Sequence, residues 1–149
     1  MGDLRKKLVT LIESMQTTAE LDEERQRVVD DFMGFCQQKL GIKEMPELIL
    51  VPYKGPDMST AAYHPQRNCV QILLGERALV DVLRSVAHEL VHRQQDEEGR
   101  LEGAEGPGAD MRQDIGADYE NEANAVGGAL IKEFSRFYEG LAKDRIYEL

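Results

Sequence analysis

The sequence predicts an α+β fold, and three observations carry that prediction. Apolar residues recur at helical spacing in four segments, short β-rich runs cluster in the middle of the chain, and glycine or proline marks the joins. Residues 4–15 and 21–40 read as two helices. In the second, Val28, Val29, Phe32, Phe35 and Cys36 recur at helical spacing, and Gly41 ends it. Three strands follow: "ELILVPY" (47–53), stopped by Pro52, then "STAAYHP" (59–65), then "NCVQILLG" (68–75). In the last, Val70, Ile72 and Leu74 alternate with Cys69, Gln71 and Leu73, and "YKGPDM" and "HPQRN" supply the turns. Residues 77–97 and 114–141 read as two long helices, joined through the glycine- and acid-rich "GRLEGAEGPGAD", a flexible loop. The sheet is small and antiparallel or mixed. The expected organisation is one domain over 1–149, with a helical N-terminal part (1–44) and a site-bearing core (45–141).

Composition narrows the function classes. A chain of 149 residues with 42% hydrophobic and 31% charged residues is globular rather than disordered. Its net charge of −10 argues against a nucleic-acid partner, which needs a concentrated basic face. No apolar run approaches the roughly 18 residues of a membrane span. The N-terminus lacks the apolar core of a signal peptide, and Lys6 stands where a myristoylation signal requires Ser or Thr. Cys36 and Cys69 make no disulfide framework and read as buried free thiols, so the expected compartment is the reducing cytoplasm.

The chemistry concentrates in "SVAHELVHRQQDEEG", where His88 and His92 stand four residues apart and Glu89 follows the first. On a helix such a pair is about 40° apart and about 6 Å along the axis, so both imidazoles reach one ion. Glu89 points about 100° away from His88, poorly placed as a ligand and well placed to take a proton from water at that ion. Leu79, Val80, Val82, Leu83, Val86, Ala87, Leu90 and Val91 fill one arc of this helix. The histidines lie opposite, beside Asp81, Arg84, Ser85 and Gln95, on a polar face rather than in the core stripe.

A catalytic zinc needs three protein ligands. Asp96 continues the helical series but lies too far along the axis to share the ion. The candidates from other segments are His64, Asp110, Asp114, Asp118, Glu120 and Glu122. In the last helix, Ala123, Val126, Gly127, Leu130, Ile131, Phe134, Phe137, Tyr138 and Leu141 form one apolar arc. Glu120 falls inside that arc and Glu122 outside it, on the solvated side. An inward carboxylate must be paired or bind metal, which selects Glu120. Asn124, one turn on, is placed to hydrogen-bond a ligand, and Ala123, Gly127 and Gly128 allow close approach to the His88–His92 helix.

"AHELVH" followed by "ENEANAVGGALI" resembles the ImmA/IrrE group of small zinc metallopeptidases, over residues 47–131. "VGGALI" stands where that family carries a bulkier segment. "HELVHRQQ" is also similar to phage-encoded zincin-like proteins. The first resemblance implies one Zn²⁺ per chain on His88, His92 and Glu120, with Glu89 as general base, and hydrolysis of a peptide bond in a protein or peptide substrate. Tyr63, His64 and Tyr119 are the candidates to stabilise the oxyanion. The substrate is expected to add as a strand to a sheet edge. Two other classes stand beside this one: a catalytically silent zinc-binding module with a regulatory protein partner, and a metal-free helical packing module.

Overall fold

A computed structural model describes residues 21, 23–52, 60–75, 77–101 and 117–138. The expected helix 4–15, the candidates Asp110 and Asp114, and most of the glycine-rich loop lie outside the described residues. Among the described residues the order is α1 (Glu23–Leu40), β1 (Glu47–Val51), β2 (Ala61–His64), β3 (Cys69–Leu73), α2 (Leu79–Glu97) and α3 (Ala117–Phe137). The α+β class and each of these elements agree with the sequence pattern. No helix among the described residues is long and apolar enough to cross a membrane.

Helix α1 buries Val28, Val29, Phe32, Cys36 and Leu40, a stripe at helical spacing. Glu23 and Glu24 in its first turn and Lys39 in its last suit the helix dipole. Gly41, at φ +67°, stops it, and the Ile42 N–H closes back on the Gln37 carbonyl at 3.2 Å. The same device ends α2. Gly99 takes φ +73°, its N–H reaches the Asp96 carbonyl, and the Arg100 N–H reaches that of Gln95, both at 2.9 Å. That turn directs Leu101 into the interior, where it is buried, and sends Arg100 toward α3.

The sheet is mixed, with order β1-β3-β2. β1 pairs with β3 in parallel, Glu47 opposite Cys69, and β2 pairs with β3 antiparallel, Ala61 opposite Ile72. The central strand β3 does not have the one wet face its alternation suggests. Cys69, Val70, Ile72 and Leu73 are all buried, as befits a strand flanked on both edges beneath a helix. Helix α2 lies against β2 and β3, α3 packs along α2, and α1 reaches both helices. Phe32 of α1 meets Phe134 of α3 edge-on at 5.0 Å between ring centres. Both cysteines are buried free thiols, as expected, and burial pushes the Cys36 thiol up to about 12.

The segment between α1 and β1 is clamped to the end of α2. The Glu97 carboxylate accepts the backbone N–H groups of Lys43 and Glu44, each at 2.8 Å, and Arg93 Nη2 at 3.0 Å. Burial pushes the Glu97 carboxyl up. The N–H groups of Glu44 and Lys43, together with Arg93, outweigh that and hold it below the usual carboxylate range. A carboxylate with a lowered folded-state pKa contributes stability that is complete above its unfolded value of about 4.3. That contribution is lost as pH falls through the folded value. Urea unfolding at stepped pH should therefore show wild type losing stability below about pH 4.3. Glu97→Gln should be less stable near neutrality by about 1–3 kcal/mol. It should also show a shallower acid dependence, and an unchanged acid limb would remove Glu97 as its cause.

Candidate metal centre

Helix α2 is held on one side by its apolar residues, with Leu79, Val82, Leu83, Val86, Ala87, Leu90 and Val91 all buried. Its other side carries the polar residues that the helical wheel grouped there, with the Arg84 and Asp81 side chains 60% and 47% exposed. Toward its C-terminal half that face is covered: His92 and Gln95 are 0% exposed and Glu89 is 3% exposed. Helix α3 covers it. The close approach is made at Gly127, where an added Cβ would stand 3.3 Å from the His88 backbone nitrogen and 3.4 Å from the Ala87 Cβ. Ala123, one turn earlier, is fully buried, whereas Gly128 faces open space and plays no part in the approach.

This packing brings the first turn of α3 over the two histidines. His88 Nε2 lies 3.1 Å from His92 Nε2 and 3.2 Å from Glu120 Oε2. His92 Nε2 lies 2.7 Å from Glu120 Oε1, yet that buried oxygen makes no hydrogen bond. The rings stand nearly perpendicular, at 86°. The far side of each ring is anchored: His88 Nδ1 is 2.8 Å from Asn124 Oδ1, and His92 Nδ1 is 2.8 Å from Gln95 Oε1. The Gln95 amide nitrogen donates to the Tyr119 carbonyl at 3.2 Å, which fixes which end of the amide faces His92. Amide oxygens only accept, so each Nδ1 carries a proton, and in the neutral ring Nε2 then presents its lone pair toward the same point. Burial holds the His92 imidazole below its usual range, against the Gln95 hydrogen bond and the Glu120 carboxylate, and so favours the neutral ring.

Two imidazole lone pairs and a carboxylate meeting this closely repel unless a cation lies among them. His88, His92 and Glu120 therefore form a group that could hold a metal ion. Ligands about 2.0–2.1 Å from a tetrahedral zinc stand roughly 3.3 Å apart, close to the separations here. Histidine and carboxylate donors also suit other first-row metals, so the donor set alone does not name the ion.

The remaining candidates lie elsewhere. Asp118 is exposed, and Glu122 is paired with Arg100, whose Nη1 is 2.8 Å away. His64 is exposed at the end of β2, with Nε2 3.3 Å from Gln71 Oε1. Asp96 accepts the Tyr63 hydroxyl at 2.6 Å, which places Tyr63 in a buried network with Arg93 rather than at the ion. Tyr119 lies under the Arg100 guanidinium, 5.5 Å from its ring centre. Glu120 sits as the helical wheel requires, although its side chain keeps 32% exposure where the site opens.

It opens into a cleft of about 460 Å³ lined by His88, Glu89, Glu120 and Asn124, by Thr60 and Ala61 beside β2, and by Arg77, Asp81, Arg84 and Ser85. The sequence reading missed Arg77 altogether and named Gln95 only as a residue of the polar face. The spacing of Gln95 three residues after His92 on one helix was the signal available for it. Comparison with protein-family models, with curated proteins and with solved structures finds no match to this chain.

Removing the amide anchors tests this arrangement. Gln95→Leu and Asn124→Leu should each weaken zinc binding by about 10–100-fold, measured by competition with a chromogenic chelator. Affinity equal to wild type in both variants would mean that the Nδ1 hydrogen bonds do not orient the rings.

Proposed function

We propose that the chain is a zinc-dependent metallopeptidase that cleaves peptide bonds in a protein or peptide substrate. The observation that carries this reading is the meeting of His88, His92 and Glu120 at one wall of a cleft that Glu89 also lines. A zinc ion held by those three side chains would polarise a peptide carbonyl and activate water near neutral pH. The resemblance of "AHELVH" and "ENEANAVGGALI" to the ImmA/IrrE metallopeptidases supports the same chemistry.

The protein's own groups then have separate tasks. Asn124 and Gln95 keep the two imidazoles in the ligating tautomer. Glu89, one residue after His88, takes the proton from the attacking water as the carbonyl carbon gains its new C–O bond. It returns that proton to the nitrogen as the C–N bond breaks, so no net proton is stored. Strand β2 is an edge of the sheet, and Thr60 and Ala61 place that edge beside the cleft. An extended peptide aligned there brings its backbone past the metal group.

One observation favours a catalytically silent zinc module instead. None of Tyr63, His64 and Tyr119, the residues considered for the oxyanion, lines the cleft. The two readings separate cleanly. Glu89→Gln should keep one zinc per chain yet lose cleavage of a mixed peptide library by about 10²–10⁴-fold. His88→Ala and Glu120→Ala should lose zinc, and Glu122→Ala should keep it. Zinc retained by wild type and by Glu89→Gln, with no cleavage by either, would favour the silent module over the peptidase.

A further inference from the structure

We infer that Arg77 is a substrate-recognition residue, and that the preferred substrate carries a carboxylate within about two residues of the cut bond. This rests on the peptidase reading and names its substrate class. The inference starts from an unbalanced charge. Arg77 is half-buried in the cleft wall, and its partners are neutral oxygens: the Leu73 carbonyl at 2.8 Å, the Asp81 carbonyl at 2.8 Å and the Ser85 hydroxyl at 2.6 Å. No carboxylate among the described residues pairs with it. The Asp81 carboxylate is bound instead to Arg84, 2.8 Å from its Nη1. Burial accordingly holds the Arg77 guanidinium below its ordinary range, opposed by Asp81.

Those hydrogen bonds also make the group rigid. Tied to the end of β3 and the first two turns of α2 through both Nη2 N–H groups and one Nη1 N–H, the guanidinium is held in one place. It offers a carboxylate a fixed positive charge with its remaining Nε–H and Nη1–H donors. Arg84, largely exposed, lines the same cleft but is paired with Asp81, so of the two arginines in the lining Arg77 is the one without a carboxylate partner.

Position converts the charge into a specificity. Arg77 binds the Ser85 side chain, and Ser85 precedes His88 by three residues and Glu89 by four on one helix. That is about 4.5–6 Å along the axis. An extended peptide advances about 3.3 Å per residue, so the carboxylate falls within roughly two residues of the bond beside Glu89. An Asp or Glu side chain and a free C-terminus offer the same chemistry there.

Matched fluorescent peptides test this on the full-length, zinc-loaded chain. The set places Glu or Gln next to the cleaved position and ends in a free carboxylate or an amide. Binding is read by anisotropy on Glu89→Gln, which does not turn over, and cleavage on wild type. A Glu-over-Gln preference of about tenfold or more assigns the side chain, and a similar preference for the free terminus assigns that end. Arg77→Met should abolish the preference, and Arg77→Lys, which keeps a charge but loses the hydrogen bonds that fix its position, should restore only part of it. Equal binding of all four peptides, or a preference that survives in folded, zinc-loaded Arg77→Met, overturns the inference. The peptide comparison at an intact Arg77 decides the matter even if Arg77→Met fails to fold. Absence of any cleavage by wild type would count against the peptidase reading, and the binding comparison would still judge Arg77.

Discussion

Two imidazole nitrogens and a carboxylate lie within about a hydrogen-bond length of one another, and the rest of the site follows from that. The Nδ1–H of each histidine is committed to an amide oxygen, so Nε2 of both rings and the Glu120 carboxylate face inward with lone pairs only. Such a cluster is unfavourable by itself and favourable around a cation. The structure therefore carries a His-His-Glu group that could hold a metal ion, rather than two histidines that happen to be neighbours. Burial adds to this by disfavouring protonation of His92, which would block ligation.

Holding that cluster together is a packing problem, and small residues solve it. Glu120 reaches the histidines because α3 runs close to α2, and α3 runs close because position 127 has no side chain. The Arg100–Glu122 pair, set up by the turn at Gly99, ties the end of α2 to the start of α3. Beyond the site, Phe32 and Phe134 close the core between α1 and α3. Fold and site thus share one interface, and a change that loosens α2 against α3 reaches both.

Much of this was legible in the residue pattern, and what was not has physical causes. Helical spacing located α1, α2 and α3, and short alternating runs located the strands, because those periods are properties of a single segment. The parallel pairing of β1 with β3 was left open because pairing depends on how distant segments meet. A helical wheel for α2 sees only its own helix, so it set His92 on the polar face without showing that α3 buries it completely. The same method succeeded for Glu120 against Glu122, since the question there was only which side of α3 faces inward. Tyr63 failed as an oxyanion candidate because strand alternation turns it to the buried face, where Asp96 takes its hydroxyl. Arg77 had no sequence signal, because its significance lies in what surrounds it.

Glu89 occupies a position distinct from all these groups, buried beside the metal ligands while lining the same cleft. In the proposed peptidase reading that separation keeps the proton carrier apart from the metal-binding group, and it means little unless an ion sits where His88, His92 and Glu120 converge. X-ray absorption at the zinc edge, on protein loaded with one equivalent, addresses that point directly. The account predicts nitrogen and oxygen neighbours only, near 2.0–2.1 Å, with an outer-shell signature of two imidazoles. Sulfur scattering near 2.3 Å, or a spectrum with fewer than two imidazoles, would contradict it.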